Sequence, residues 1–562
     1  MLRPAAILSA LLLAACAQPS PTTPAAEAPE PTEANRPSAA RIFSSGTIYT
    51  GIVSETVDTV AVDSDGRIVW TGSVDNLDAE VDTENAEFVW LNNQFMYPGF
   101  TDSHAHLIGI GQRELSLDLA GTASVDELVT RIEAEAEGLS DDAIIVGRGW
   151  IETGWPEGRM PTAADLDAVV GDRIVILGRA DGHALVASSA ALRAAGIDYD
   201  TPDVEGGKIE RDADGKATGI LIDNAMTPVW GLVAAPTEED VRRAYAEGAN
   251  VYAERGWTGL HNMSVPPAHA EVMAGLDERG ELPVRIYNAF SEDGFEIAEA
   301  HAFETDTITN RAVKLYMDGA LGSRGALLIE PYSDRPDTSG LSLLDPEGLE
   351  VLMRRAEGGD VQLAIHAIGD LANRRILDVY EELALDGDLR WRIEHTQIVH
   401  PDDIARIPGL GLIASMQPSH AIGDLKFAPA RLGADRLEGA YAWQDLLDAG
   451  AVIAGGSDAP VEVGSPLIEF YAAVARKDLD GNSGTGWHPE QALSRQDALA
   501  LFTSAAAYAA FMEDDLGTIE PGKIADFSVF DRDLMSVPEA EILEANAVMT
   551  VLNGEIVWSA AE

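Results

Sequence analysis

Five separated apolar stretches of this chain each end on a side chain that can bind a metal or move a proton, and this recurrence constrains the fold more than any other feature. They are PGFTDSHAHL with His104 and His106, AVKLYMDG with Lys314, VQLAIHAIGD with His366, RWRIEHTQIV with His395, and VIAGGSDAPV with Asp458. In an extended strand residues i and i+2 project from one face, so His104 and His106 aim at one spot, with Asp102 on the same face. From about residue 95 to 510, eight short apolar runs alternate with helix-like stretches. They centre on 100 to 104, 257 to 261, 283 to 289, 311 to 316, 361 to 366, 390 to 395, 410 to 415 and 451 to 456. That alternation predicts an α/β chain of parallel βα units. The ligand-type side chains then fall at the C-terminal ends of strands one, four, five, six and eight, where (β/α)8 barrels build their active sites. Ala312, Ala364, Ile393 and Gly456 stand two residues before their ligands and are expected to face the barrel interior.

The phrases KLYMDGALGSR, HAIGD, RIEHTQIV, SMQPSH and GSDAPV occur in an order that resembles the amidohydrolase superfamily, and within it amidohydrolase family 3, the YtcJ-like branch that contains N-substituted formamide deformylase. The resemblance covers roughly residues 41 to 562. It implies a TIM barrel and a hydrolase that uses two divalent ions, zinc being expected. On this reading His104, His106 and Asp458 hold the more buried ion, His366 and His395 hold the more exposed one, and Lys314 bridges them as a carbamate formed with carbon dioxide. An ammonium cannot ligate a cation, but burial beside cations favours the neutral amine which that reaction needs. An ion pair with a carboxylate such as Asp318 is the competing reading of Lys314. Asp458 is the expected catalytic residue, taking a proton from metal-activated water and handing it to a leaving nitrogen. The competing reading of GSDAP is a helix cap.

Substrate contact is expected of His183 in ADGHAL, His420 in SMQPSH, Arg324 in the Gly-, Ser- and Pro-rich loop after strand four, and Trp155. Trp155 and its neighbour Trp150 would wall an apolar group, core packing being the plainer alternative. His261 is a further candidate, whereas His269, His301, His400 and His488 read as exposed or capping residues.

The gap between strands one and two is too long for one crossover helix and predicts an inserted α/β cap over about residues 121–250. Strand patterns also occupy both ends of the chain, in VDTVAVDSDGRIVWTG and EFVWL and in KIADFSVFD and AVMTVLNGEIVW. The resemblance implies that 41–95 and 511–562 pair into one composite β-sandwich, with the barrel at 96–510 between them.

Arg3, an apolar run over residues 5–15 and Cys16 suit a signal peptide, and LAAC is similar to a bacterial lipobox. That implies removal of residues 1–15, acylation of Cys16, a flexible tether over 16–40 and a periplasmic protein lipid-anchored to a membrane. Ala17 points to the outer membrane. Cys16 is the only cysteine, so there is no intrachain disulfide and no cysteine nucleophile. With 94 acidic against 38 basic residues, a net charge of -56 repels phosphate backbones, and no nucleic-acid partner is expected. A small molecule is the expected partner, the lipid at Cys16 the only membrane contact, and a homodimer is what relatives of this family suggest. The expected reaction is cleavage of a C–N bond in an amide, N-acyl amine or N-formyl amine. Two alternatives stand beside it: hydrolysis of esters, lactones or phosphotriesters by the same site, and a catalytically idle lipoprotein that binds a solute.

Overall fold

The computed structural model describes residues 36–561, apart from 141, 153, 180–183, 205–206, 386 and 485–486. Its centre is an eight-stranded parallel sheet formed by Phe100–Ala105, Trp257–Val265, Arg285–Phe290, Ile308–Tyr316, Gln362–Ala367, Arg392–His395, Ile413–Met416 and Ile453–Gly455, each paired with its neighbour in chain order. Strands buried on both faces must be apolar on both. Leu260, Ile286, Val313, Leu315, Leu363 and Ile365 accordingly form one core with the surrounding helices. Helix Glu238–Arg255 starts on a Thr237–Asp240 capping box and stops at Gly256, whose φ of 95° is a left-handed turn that releases the chain into strand two. It lies close on helix Leu107–Glu114: a Cβ on Gly248 would sit 2.5 Å from the Leu107 carbonyl oxygen.

Strands eight and one close the barrel through loop backbone and one buried carboxylate. The Asp458 N–H donates to the His104 carbonyl at 2.6 Å, and the His106 N–H donates to Ala459 at 2.8 Å. Asp102 accepts from the Ser457 N–H at 2.8 Å, the Ser457 hydroxyl at 2.5 Å and the Tyr252 hydroxyl at 2.9 Å. Asp102 is therefore a clasp across the seam. Gly456 belongs to the same seam, since a Cβ there would lie 2.5 Å from the His104 nitrogen. Ala312 and Ala364 gather with Met263, Tyr287 and Ala289, apart from the helix-facing core. Ile393, expected beside them from strict alternation, packs instead in the helix-facing core, and Arg392 and Glu394 point the other way.

The two ends of the chain meet in one eight-stranded sheet, where Phe95–Pro98 pairs antiparallel with Phe527–Phe530. Phe43, Ile48, Val60, Met96, Phe527, Val529 and Val551 share its core. In hydrogen-bonding terms its strands are continuous. Ala39 and Ala40, expected in the tether, donate their N–H groups to Asp82 and Val62, so the chain is held against this sheet before its first strand begins. The cap is a six-stranded sheet running from Leu117–Asp118 to Ala217–Asp223, with a hydrophobic core on each face. It is shorter than the expected 121–250 at its far end, because Glu238–Arg255 is a barrel helix.

Candidate metal centre

The first barrel strand carries His104 on its buried face, and His106 follows immediately after the strand. Lys314, His366 and His395 stand at or near the ends of strands four, five and six, and Asp458 follows strand eight. His395 and Asp458 reach the common centre through left-handed backbone, with φ of 74° and 59°. For residues with a Cβ such backbone costs about 1–3 kcal/mol each and persists mainly at functional sites. At His395 this turn breaks the strand's alternation, so Glu394 and His395 both serve the same centre.

The side chains converge closely. Asp458 Oδ1 lies 3.2 Å from His106 Nε2 and 3.6 Å from His104 Nε2. Lys314 Nζ is 3.2 Å from His104 Nε2. The His395 ring centre is 4.8 Å from that of His104 and 4.5 Å from that of His366. Three imidazoles are held from behind at Nδ1: His104 by Glu394 at 2.5 Å, His395 by the Gln417 amide oxygen at 2.7 Å, and His106 by the Met263 carbonyl at 3.1 Å. An acceptor at Nδ1 fixes the proton there and leaves the Nε2 lone pair facing the centre.

Burial, then the nearby Lys314 charge, lowers the His104 pKa to about 4 and that of His366 to about 3, so both rings are neutral at neutral pH. Burial also lowers Lys314 to about 8, within reach of its neutral amine. For Asp458 burial acts upward, but the His106 hydrogen bond and the surrounding histidines outweigh it and hold the carboxyl well below its usual range. Glu394 shows the same balance, burial being overcome by Arg392 and His104.

A divalent cation fits these residues. His104, His106 and Asp458 bring their ligand atoms within 4.8 Å of one another, and so do His395, His420 and Asp458. Among the described residues, the buried Nε2 atoms of His366 and His420 have no hydrogen-bond partner. His366 Nε2 faces Asp318 at 3.4 Å and His420 Nε2 faces the ionised Asp458 at 3.5 Å, and a buried nitrogen left without a hydrogen bond is costly unless a cation sits beside it.

The remaining expectations divide. His420 joins the centre, its Nε2 3.5 Å from Asp458 Oδ2, close enough for a ligand as well as a substrate contact. His183 lies outside the described residues. Trp155 is not a pocket wall: it is buried in the cap core, 6.4 Å from Trp150 between ring centres, and its indole N–H donates to Thr122. Arg324 pairs its guanidinium with Asp334 at 2.9 Å. Asp318 is not Lys314's counter-ion. It accepts the N–H groups of Leu327, Ile368 and Gly369, and burial raises its carboxyl to about 7. His261 is buried against Arg392 at 2.6 Å.

Sequence reasoning missed Glu394 and Gln417. Glu394 sits on the face that alternation assigns away from His395, and Gln417 stands one residue past strand seven with only its amide to mark it. Tyr316 was also missed; its half-exposed ring lies 5.5 Å from that of His366, with Lys314 Nζ 5.0 Å from its centre.

Parallel barrel strands that deliver neutral imidazoles, an amine and a carboxylate to one point define the metal-dependent hydrolases of this fold. The model of the Amidohydrolase family matches residues 87–558, so the chain belongs to the amidohydrolase family. It is 33% identical over 527 residues to YtcJ of Bacillus subtilis (strain 168), covering 92% of this chain and 99% of that one. It is 27% identical over 524 residues to the N-substituted formamide deformylase of Arthrobacter pascens, covering 87% and 93%. Among solved structures, an uncharacterized metal-dependent hydrolase from Pyrococcus horikoshii OT3 superposes with a TM-score of 0.74 at 29% identity, over 89% of this chain and 99% of that one.

Proposed function

We propose that this amidohydrolase cleaves a C–N bond in a small amide, N-acyl amine or N-formyl amine. One observation carries the reading: Asp458 lies within 3.2–3.6 Å of His106, His104 and His420, so a single carboxylate touches both groups of ligand atoms. The likeness to N-substituted formamide deformylase supports the C–N choice. His104, His106 and Asp458 would hold one divalent ion and His366 with His395 a second, zinc being the expected metal. A bound ion of this kind lowers the pKa of water toward neutrality and polarises a carbonyl.

The chain's own residues supply the rest. Asp458, ionised at neutral pH, accepts the proton of the attacking water. It then returns that proton to the departing nitrogen, which leaves poorly as an unprotonated amine. Lys314, brought close to neutrality by burial, takes up carbon dioxide as a carbamate, exchanging one nitrogen donor for two oxygens. Tyr316 stands beside Lys314, with Nζ 5.0 Å from its ring centre. Cys16 carries the lipid that anchors the protein on the periplasmic side of the outer membrane, and the protein works there on small molecules alone. Turnover of N-formyl and N-acyl amines by metal-loaded protein, in a panel with aryl esters, lactones and phosphotriesters, is the expected result. Turnover confined to the oxygen esters would replace this reading, and none at all with tight solute binding would point to a binding protein.

A further inference from the structure

The interior of a (β/α)8 barrel is ordinarily filled by layers of branched apolar side chains. Here a charged column stands in it. Arg392 and Glu394 project from strand six and are fully buried, with Arg392 Nε 2.7 Å from Glu394 Oε1 and Nη2 donating to Oε2 at 3.2 Å. The other carboxylate contact is His104 Nδ1 at 2.5 Å. Arg392 is itself fixed on three further sides, by the Ser103 carbonyl, the Ser415 hydroxyl at 2.9 Å and His261 Nδ1 at 2.6 Å.

Stability does not account for the column. A buried ion pair loses so much hydration that apolar residues of similar volume commonly serve as well or better. The arrangement differs from the supports of the other rings, because His395 and His106 lean on neutral oxygens, of Gln417 and Met263. His104 alone among these three leans on a carboxylate, and a carboxylate behind an imidazole strengthens it as a metal donor while fixing its tautomer.

We infer that Glu394, held by Arg392, is a positioning residue that makes His104 the anchoring ligand of the metal centre, and that the ion bound through His104 is the more tightly held of the two. The inference rests on the metal-centre reading above. His261 completes it by occupying the far side of the guanidinium, so that Arg392 cannot swing away from Glu394.

The test uses the full chain stripped of metal, with cobalt affinity measured by competition against a chromophoric chelator and folding followed by thermal melting. Two variants are compared with the unaltered protein: Glu394→Gln, and the double variant Arg392→Met/Glu394→Leu, which removes both charges and strands neither. Both are expected to bind cobalt about 10- to 100-fold more weakly, with a changed visible cobalt spectrum, while the double variant still folds cooperatively. If Glu394→Gln fails to fold because Arg392 is left unpaired, the double variant decides. A folded variant with parental affinity and spectrum would overturn the inference, as would a loss of affinity that merely tracks a loss of folded protein. Failure of the unaltered chain to bind any divalent ion would instead overturn the metal-centre reading itself.

Discussion

Asp458 shows how much one residue carries at this centre. It closes the barrel seam through its N–H, turns through left-handed backbone, and aims its carboxylate between His106 and His420. Asp458→Asn keeps the shape but cannot accept the water proton, and turnover should fall by about 10²–10⁴-fold or more; circular dichroism should show the fold intact. On the proposed carbamate bridge Lys314→Ala should be as inactive, and near-parental kcat in either variant would remove that residue from the mechanism. Glu394 gives a pH dependence with a definite sign. Its pKa is lower in the fold than in the unfolded chain, so its stabilisation is complete above the ordinary glutamate value of about 4.3 and is lost as pH falls below it. In metal-free protein, the melting advantage of the parent over Glu394→Gln should therefore shrink from pH 5 toward pH 3; a constant advantage would contradict the ionised pair. The six ligand-type residues are legible in the sequence because each ends an apolar run. Glu394 is not, because strict alternation puts it on the face away from His395, and no glycine marks the left-handed turn there.

Elements were legible where they are local and obscure where they are paired at long range. All eight barrel strands fall on their apolar runs, from Phe100–Ala105 to Ile453–Gly455, since parallel strands buried on both faces need such runs. The pairing of Phe95–Pro98 with Phe527–Phe530 joins residues more than 400 positions apart, and only the family resemblance anticipated that the chain ends meet. The cap illustrates the opposite error. Two tryptophans near a glycine-rich turn suggested a pocket wall, yet Trp155 lies beneath helix Val125–Glu137 in a dry core with Leu128 and Ile132. Trp155→Ala should cost about 3–5 kcal/mol through the cavity it leaves. That loss should be read first in hydrogen exchange across the cap, with the metal affinity of the barrel unchanged. Loss of substrate affinity without loss of cap protection would restore Trp155 to the pocket.

At the scale of the whole molecule, a net charge of -56 surrounds a centre built to hold cations. Self-repulsion of that size opposes compaction and is screened by salt, the Debye length shrinking from about 30 Å at 0.01 M to 8 Å at 0.15 M. The melting temperature should rise over that range, and a fall would show that attractive surface pairs dominate. Divalent ions settling among these side chains are the central requirement of the mechanism, and anomalous scattering at the zinc edge, from crystals grown with zinc, reveals them. Strong anomalous peaks are expected within ligand distance of His104, His106 and Asp458 and of His366 and His395. Crystals with ample zinc in which those side chains point apart around a metal-free cavity would contradict it.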